Sequence, residues 1–102
     1  MNEFVTTPYT YANQGVYFVQ GETTKRIKIG YSSQIEKRIK GLQTSEPIKL
    51  IHVIPNASTD AESSLHNKFS HMRTHGEWFT SHPKLLAFIY SLKMQNLIYS
   101  LR

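Results

Sequence analysis

The 102-residue sequence contains no cysteine, and this absence removes two common ways of stabilising a small domain. Without thiols the chain forms neither disulfide bonds nor a thiolate zinc site, so a hydrophobic core must hold the fold. No apolar run reaches the roughly 18 residues that a membrane-spanning helix needs, and the N-terminal segment lacks the basic and apolar regions of a signal peptide. These absences predict a protein of the cytoplasm, or of the host cytoplasm or nucleus if the chain is viral.

Internal repeats, low-complexity tracts and long linkers are also missing. The length therefore predicts a single domain over residues 14–102, preceded by a flexible lead over residues 1–13. A formal net charge of +5 favours a polyanionic partner, although many ordinary domains share so modest an excess. The composition leaves the oligomeric state open between a monomer and a weak dimer.

Two short segments, Gly15–Tyr17 and Lys28–Gly30, predict the two strands of a β-hairpin. Apolar and polar residues alternate on both sides of the turn-forming segment Gly21–Thr24. If the turn is centred there, Tyr17 lies directly opposite Lys28 on one face, because antiparallel partners keep a constant index sum. Burial of the opposite face would set the register. The apolar side chains expected on that face are Val16, Phe18, Ile27 and Ile29.

The rest of the sequence predicts a third strand and three helices. A β-branched segment over residues 48–54 is typical of a strand that joins the hairpin. Ser/Thr-x-x-Glu patterns beginning at Ser33 and Thr59 are typical of capping boxes at helix N-termini. The expected fold is of the α/β (α+β) class, with a small central antiparallel three-stranded sheet flanked by about three helices. We expect these helices near residues 33–42, 60–72 and 83–99.

Helical spacing places three polar side chains at the edges of these helices. Arg38 lies about 65° from the centre of its apolar stripe, so its long side chain reaches along the sheet surface. Glu62 and His66 are four residues apart and therefore neighbours on one flank of the next helix. We expect Arg38 and Glu62 to converge on Tyr17 and Lys28.

These motifs, in this order, resemble the GIY-YIG nuclease superfamily over about residues 15–80. Lys28 stands where the second motif of that superfamily begins with tyrosine. The later motifs, Glu-x-x-x-His-x-x-Phe over residues 62–69 and Gly-Glu-Trp-Phe over residues 76–79, are similar to those of the compact branch common in phages and mobile elements.

The resemblance implies hydrolysis of DNA phosphodiester bonds with one divalent metal ion, Mg²⁺ or Mn²⁺, held by Glu62 as its only protein ligand. It implies that Tyr17 takes the proton of the attacking water and that Lys28 is the cation that lowers the pKa of this phenol. Arg38 would hold the scissile phosphate and offset charge in the transition state. His66 would orient Tyr17 or relay its proton.

Basic residues around this site are expected to contact DNA phosphates without reading bases. No helix-turn-helix or zinc finger accompanies the domain, so we expect weak binding with little sequence preference. The residues expected to make these contacts are Lys25, Arg26, Lys37 and Lys40.

Three of the candidate residues also suit a purely structural interpretation. Tyr17 and Lys28 suit an ordinary cross-strand pair, and Glu62 suits a capping box with Thr59. Glu77 stands where many members carry asparagine, and its role stays open between an acid that supports the site and a purely structural residue. Two other functional classes also remain: a catalytically silent nucleic-acid-binding module and a protein-interaction domain such as a viral accessory factor.

Overall fold

The computed structural model describes residues 13–100, with side chains up to residue 98. The elements in chain order are β1 (Gly15–Gly21), β2 (Ile27–Ser32), α1 (Ile35–Leu42), β3 (Ile48–Pro55), α2 (Thr59–Lys68), a short 3₁₀ helix (Ser70–Met72), β4 (Arg73–His75), β5 (Trp78–Phe79) and α3 (Pro83–Ser100). The small α+β fold with three helices is therefore confirmed. Most of the predicted lead, residues 1–12, lies outside the described residues.

A single antiparallel sheet of five strands, in the order β3-β1-β2-β5-β4, replaces the predicted three-stranded sheet. The three predicted strands are present, and β1 lies between β3 and β2. The two additional strands contain three and two residues, which is too short for an alternating pattern to predict them. They complete the sheet because β5 pairs with the outer edge of β2.

The register of the β1–β2 hairpin differs from the predicted one by two residues. Tyr17 pairs with Gly30, and Lys28 pairs with Val19, so Tyr17 and Lys28 are diagonal neighbours. The prediction that they are direct partners was wrong. Because strand side chains alternate with a period of two, this shift leaves both residues on the same face of the sheet. The shared face is therefore confirmed.

The hairpin turn closes later than predicted, and a carboxylate distant in the sequence binds it. The Gly21 N–H donates to the Arg26 carbonyl at 3.0 Å, and Lys25 takes a left-handed φ of 63°. Glu46, from the loop before β3, accepts hydrogen bonds of 2.9 to 3.1 Å from the turn, among them the N–H and hydroxyl of Thr24. Chiefly through the Thr24 N–H, these bonds hold the pKa of Glu46 below its ordinary value. This long-range contact holds the closed turn against the loop before β3.

The sheet separates two hydrophobic cores, and β1 is buried on both faces. One face packs against α2 and α3 through the four apolar hairpin side chains predicted for it, together with Phe69, Met72, Phe79, Leu85 and Ile89. The other face carries Tyr17 and packs against α1 through Val19, Ile35, Ile39, Ile48 and Val53. Within residues 13–100, no helix combines the length and apolar character that a membrane span requires.

Both helices that carry candidate residues begin at caps other than the predicted ones. The Asn13 side chain accepts a hydrogen bond of 2.9 Å from the Glu36 N–H at the start of α1. The Ser58 side chain caps α2 by accepting from the N–H three residues later, at 3.4 Å. The capping boxes predicted at Ser33 and Thr59 were therefore wrong. The Asn13 contact ties the start of α1 to the chain entering β1.

Candidate active site

The phenol of Tyr17 lies across Gly30, its direct partner on β2. A Cβ atom built on Gly30 would come within 2.5 Å of the Tyr17 hydroxyl oxygen and 2.6 Å of the ring carbon that carries it. Real Cβ contacts are essentially never this short. The glycine of the Lys28–Gly30 motif is therefore required by the position of the phenol, and only 1% of Tyr17 is exposed.

Replacing Gly30 with alanine is expected to destabilise the protein by about 1 to 3 kcal/mol, because the new methyl group must displace a buried ring. Gly41 is the matched control, because it lies in α1 with nothing within 4 Å of a built Cβ. Gly41→Ala should leave stability unchanged or raise it by roughly 0.5 to 1 kcal/mol. Urea unfolding measures both variants. Equal stability of the two variants would contradict the close approach of the Tyr17 ring to Gly30.

Arg38 extends from α1 to hydrogen-bond the Tyr17 side chain. Burial raises the pKa of Tyr17 above its ordinary value, the Arg38 hydrogen bond partly offsets this, and the charges of Glu77 and Glu62 raise it further. The predicted convergence of Arg38 on Tyr17 is confirmed. The prediction that Lys28 lowers the phenol pKa was wrong for the protein without DNA: Arg38 is the cation that lowers it, and desolvation outweighs the effect of Arg38.

Lys28 forms an ion pair with Glu77, with 3.0 Å between Nζ and Oε1. Its ammonium also lies 5.5 Å from the centre of the Trp78 ring. Only 6% of Lys28 is exposed, so its aliphatic stem is buried while its charge is neutralised by the carboxylate. The structure thus pairs Tyr17 with Arg38 and pairs Lys28 with Glu77. Sequence reasoning left Glu77 open because the pairing arises from the β2–β5 contact, which is two residues long.

Glu62 reaches from α2 to the edge of β2, where its Oε2 accepts a hydrogen bond of 2.7 Å from the Tyr31 N–H. Ser58 caps the helix instead, so the capping-box interpretation of Glu62 was wrong. The carboxylate is half-buried and close enough to act on the pKa of Tyr17. Glu62 therefore lies within electrostatic reach of the phenol, with one oxygen engaged by the Tyr31 backbone, and its predicted role at the site stays a prediction.

His66 lies one turn further along α2 and hydrogen-bonds the next backbone group of the same edge. Its Nε2 is 2.7 Å from the Ile29 carbonyl oxygen, and because a carbonyl only accepts, Nε2 carries the hydrogen. The centres of the His66 and Phe79 rings lie 5.3 Å apart. Phe79 belongs to the core on the other face of the sheet from Tyr17. The structure thus directs His66 to β2 and leaves its predicted role towards Tyr17 unsupported.

The Glu62 and His66 contacts continue the hydrogen bonding of β2 beyond the end of β5. The Ile29 N–H donates to the Glu77 carbonyl at 3.1 Å. The Ile29 carbonyl then accepts from His66, and the Tyr31 N–H donates to Glu62. Buried sheet edges need such partners because an unpaired backbone group is costly. Both residues therefore have a structural role whether or not they take part in chemistry.

The predicted phosphate-contacting residues are all exposed: Lys25, Arg26, Lys37 and Lys40. The first two lie in the hairpin turn and the last two on α1, the helix that carries Arg38. Their contact with DNA stays a prediction.

A metal ion at this site would depend on one carboxylate. Among the described residues, no group of three or more histidine or acidic side chains is placed to hold a metal ion. Mg²⁺ commonly keeps several waters and takes only one or two protein carboxylates, with substrate phosphate completing its shell. Glu62 fits this kind of site, since its Oε1 is not used in the contact with Tyr31.

Comparison with known proteins points to one family. No curated protein and no solved structure matches the chain significantly. The T5orf172 domain family matches residues 9–92, which include every candidate residue described above, whereas the GIY-YIG family itself does not match specifically. The chain therefore belongs to the T5orf172 domain family, a phage-associated group related to the GIY-YIG/HNH-like nucleases.

Proposed function

We propose that this protein is a divalent-metal-dependent endonuclease that hydrolyses DNA phosphodiester bonds. The observation that carries the proposal is the contact between Tyr17 and Arg38, with the Glu62 carboxylate close enough to act on the pKa of the phenol. A phenol, a guanidinium and a carboxylate supply a proton acceptor, a phosphate-binding cation and a metal ligand within one site. The relation of the family to nucleases supports the same conclusion.

Arg38 and Lys28 are proposed to bind and stabilise the scissile phosphate. The guanidinium of Arg38 is exposed, and its planar donors match two phosphate oxygens while its contact with Tyr17 keeps the phosphate next to the phenol. Lys28 adds a second positive charge on the same face of the sheet. Both charges would offset the negative charge that develops as the phosphorus–oxygen bond breaks.

Glu62 is proposed to hold the metal ion through Oε1 while Oε2 stays on the Tyr31 N–H. When bound, Mg²⁺ or Mn²⁺ would supply Lewis-acid stabilisation of the leaving oxygen. The backbone bond fixes the direction of the carboxylate, as supporting hydrogen bonds commonly do for metal ligands.

Tyr17 is proposed to accept the proton of the attacking water as a phenolate. Because the pKa of Tyr17 is raised above its ordinary value of 10.0, the phenol is protonated at neutral pH. The reactive fraction therefore rises with pH over the neutral and mildly alkaline range. His66 is proposed to act indirectly, by holding Ile29 and hence the strand that carries Lys28 and Gly30.

DNA binding is proposed to rest on phosphate contacts from Lys25, Arg26, Lys37 and Lys40, all of them exposed. Such contacts give a strong dependence on salt and little dependence on sequence.

The competing function is a DNA-binding module that does not cleave. It is favoured by the raised pKa of Tyr17 and by the engagement of Glu62 and His66 with the β2 backbone. A plasmid assay separates the two functions. Supercoiled DNA incubated with the protein and Mg²⁺ or Mn²⁺ is expected to become nicked or linear, with no reaction in EDTA. Salt-sensitive binding without turnover under every metal condition would establish the silent module instead.

A further inference from the structure

The backbone of Glu77 is held in place by the pairing of the β4–β5 hairpin with β2. Gly76, with a positive φ of 54°, forms the turn between β4 and β5. The Glu77 carbonyl then accepts the Ile29 N–H at 3.1 Å, and the following residue, Trp78, pairs with Lys28. The β4–β5 hairpin thereby fixes the Glu77 Cα beside the strand that carries Lys28.

Two fixed groups surround the Lys28 ammonium. The Glu77 Oε1 is 3.0 Å from Nζ, and the Trp78 ring centre is 5.5 Å from it. The lysine side chain is 8% exposed and that of Glu77 39% exposed, so the ammonium is largely shielded while the carboxylate reaches solvent. Lysine carries its charge on a flexible stem with high rotamer entropy. These two neighbours hold the ammonium at the end of that stem.

The Glu77 carboxylate also borders the proposed cleavage site. Its charge acts on both members of the phenol–guanidinium pair, Tyr17 and Arg38. A carboxylate this close to a phosphate-binding site repels DNA, so it weakens binding. Its effect on turnover is a separate matter, because the same carboxylate contacts the Lys28 ammonium.

We propose that Glu77 is a positioning residue that holds the Lys28 ammonium in the orientation needed for the transition state. The carboxylate takes one of the three ammonium donors, and a phosphate oxygen would reach another through the 8% of the lysine side chain that is exposed. This role rests on the proposed nuclease function, since it concerns the same site. It makes Glu77 unfavourable for DNA affinity and favourable for turnover, a combination that a purely structural residue would not produce.

The test compares Glu77→Gln with wild type in two measurements. DNA affinity, measured by fluorescence anisotropy in EDTA, is expected to increase roughly threefold because a repulsive charge is removed. Single-turnover cleavage at saturating DNA is expected to fall about 100-fold because the ammonium is misplaced. Glu77→Asp restores the charge and should recover part of the rate. Weaker binding together with slower cleavage would overturn the proposal in favour of a structural role.

Glu36→Gln is the matched control, because it removes the same charge from the first turn of α1. It should increase affinity slightly and leave the cleavage rate unchanged. In the Lys28→Met background, Glu77→Gln should have no further effect on the rate, since Glu77 acts through the lysine. An additional loss there would overturn the assignment.

A third readout needs no cleavage. The Lys28 ammonium protons should exchange slowly enough for ¹⁵N-resolved NMR in the wild type, and the signal should vanish in Glu77→Gln. Persistence of the signal in that variant would overturn the positioning role by itself.

A wild-type protein that shows the signal but never cleaves would overturn the nuclease function, and with it the catalytic benefit. If the wild type cleaves DNA and Glu77→Gln cleaves it equally fast, the positioning role alone is overturned.

Discussion

Glu62→Gln is expected to lower Mg²⁺-dependent cleavage by at least about 10³-fold while leaving the fold and the DNA affinity nearly unchanged. The glutamine oxygen still accepts the Tyr31 N–H, so the contact between α2 and β2 is retained. The substitution removes only the negative charge and the ligand strength of the carboxylate, which a Mg²⁺ site with one protein ligand needs. Losing metal stabilisation of a leaving oxygen costs several kcal/mol, which accounts for the expected loss of rate.

Asp60→Asn is the control for this substitution, because Asp60 is the other acidic residue in the first turn of α2. It should cleave at the wild-type rate across a Mg²⁺ titration. Thermal unfolding of both variants checks that the structural contact survives. If Glu62→Gln cleaved as fast as wild type, the carboxylate would be purely structural and the metal ion would have to bind elsewhere.

Tyr17→Phe is expected to reduce the rate of cleavage by about 10² to 10⁴-fold, the usual contribution of a general base. The phenylalanine ring retains the packing on Gly30, so the variant removes the hydroxyl alone. Stability should change little. DNA affinity should also be preserved, because the phosphate contacts come from lysine and arginine side chains.

The dependence of the rate on pH identifies the ionising group. With a pKa above 10.0 for Tyr17, the phenolate fraction grows about tenfold per pH unit between pH 7 and 9, and the wild-type rate should rise with it. Tyr17→Phe should lose this rise. Tyr90→Phe is the control, because Tyr90 is 65% exposed on α3. A Tyr17→Phe variant with an unchanged rate and pH profile would rule out the general-base role.

Local patterns predicted those features that depend on neighbouring residues along the chain. Alternation in the hairpin correctly separated Tyr17 and Lys28 from the apolar face, because side-chain direction in a strand depends only on parity. Helical periodicity correctly placed Arg38 within reach of Tyr17 and set Glu62 beside His66, because residues four apart share a helix flank.

Contacts between distant segments decided the rest of the site. The hairpin turn, which Glu46 contacts, closes later than the local turn signals predicted, so the partner of Tyr17 is Gly30 and not Lys28. A brief extended segment over residues 77–79 was predictable after the turn at Gly76, but its pairing with β2 and the placement of Glu77 beside Lys28 were not, because strands of two and three residues are too short for periodicity.

The sequence by itself determined the α+β class, the sheet face on which the phenol lies and the helix flanks that carry the arginine and the acid. These follow from periods of 2 and 3.6 residues, which backbone geometry imposes locally. Only the tertiary structure decided which charge meets which partner: Arg38 with Tyr17, and Lys28 with Glu77. Ion pairs and hydrogen bonds act over a few ångströms between residues far apart in the chain, so packing has to bring them together first.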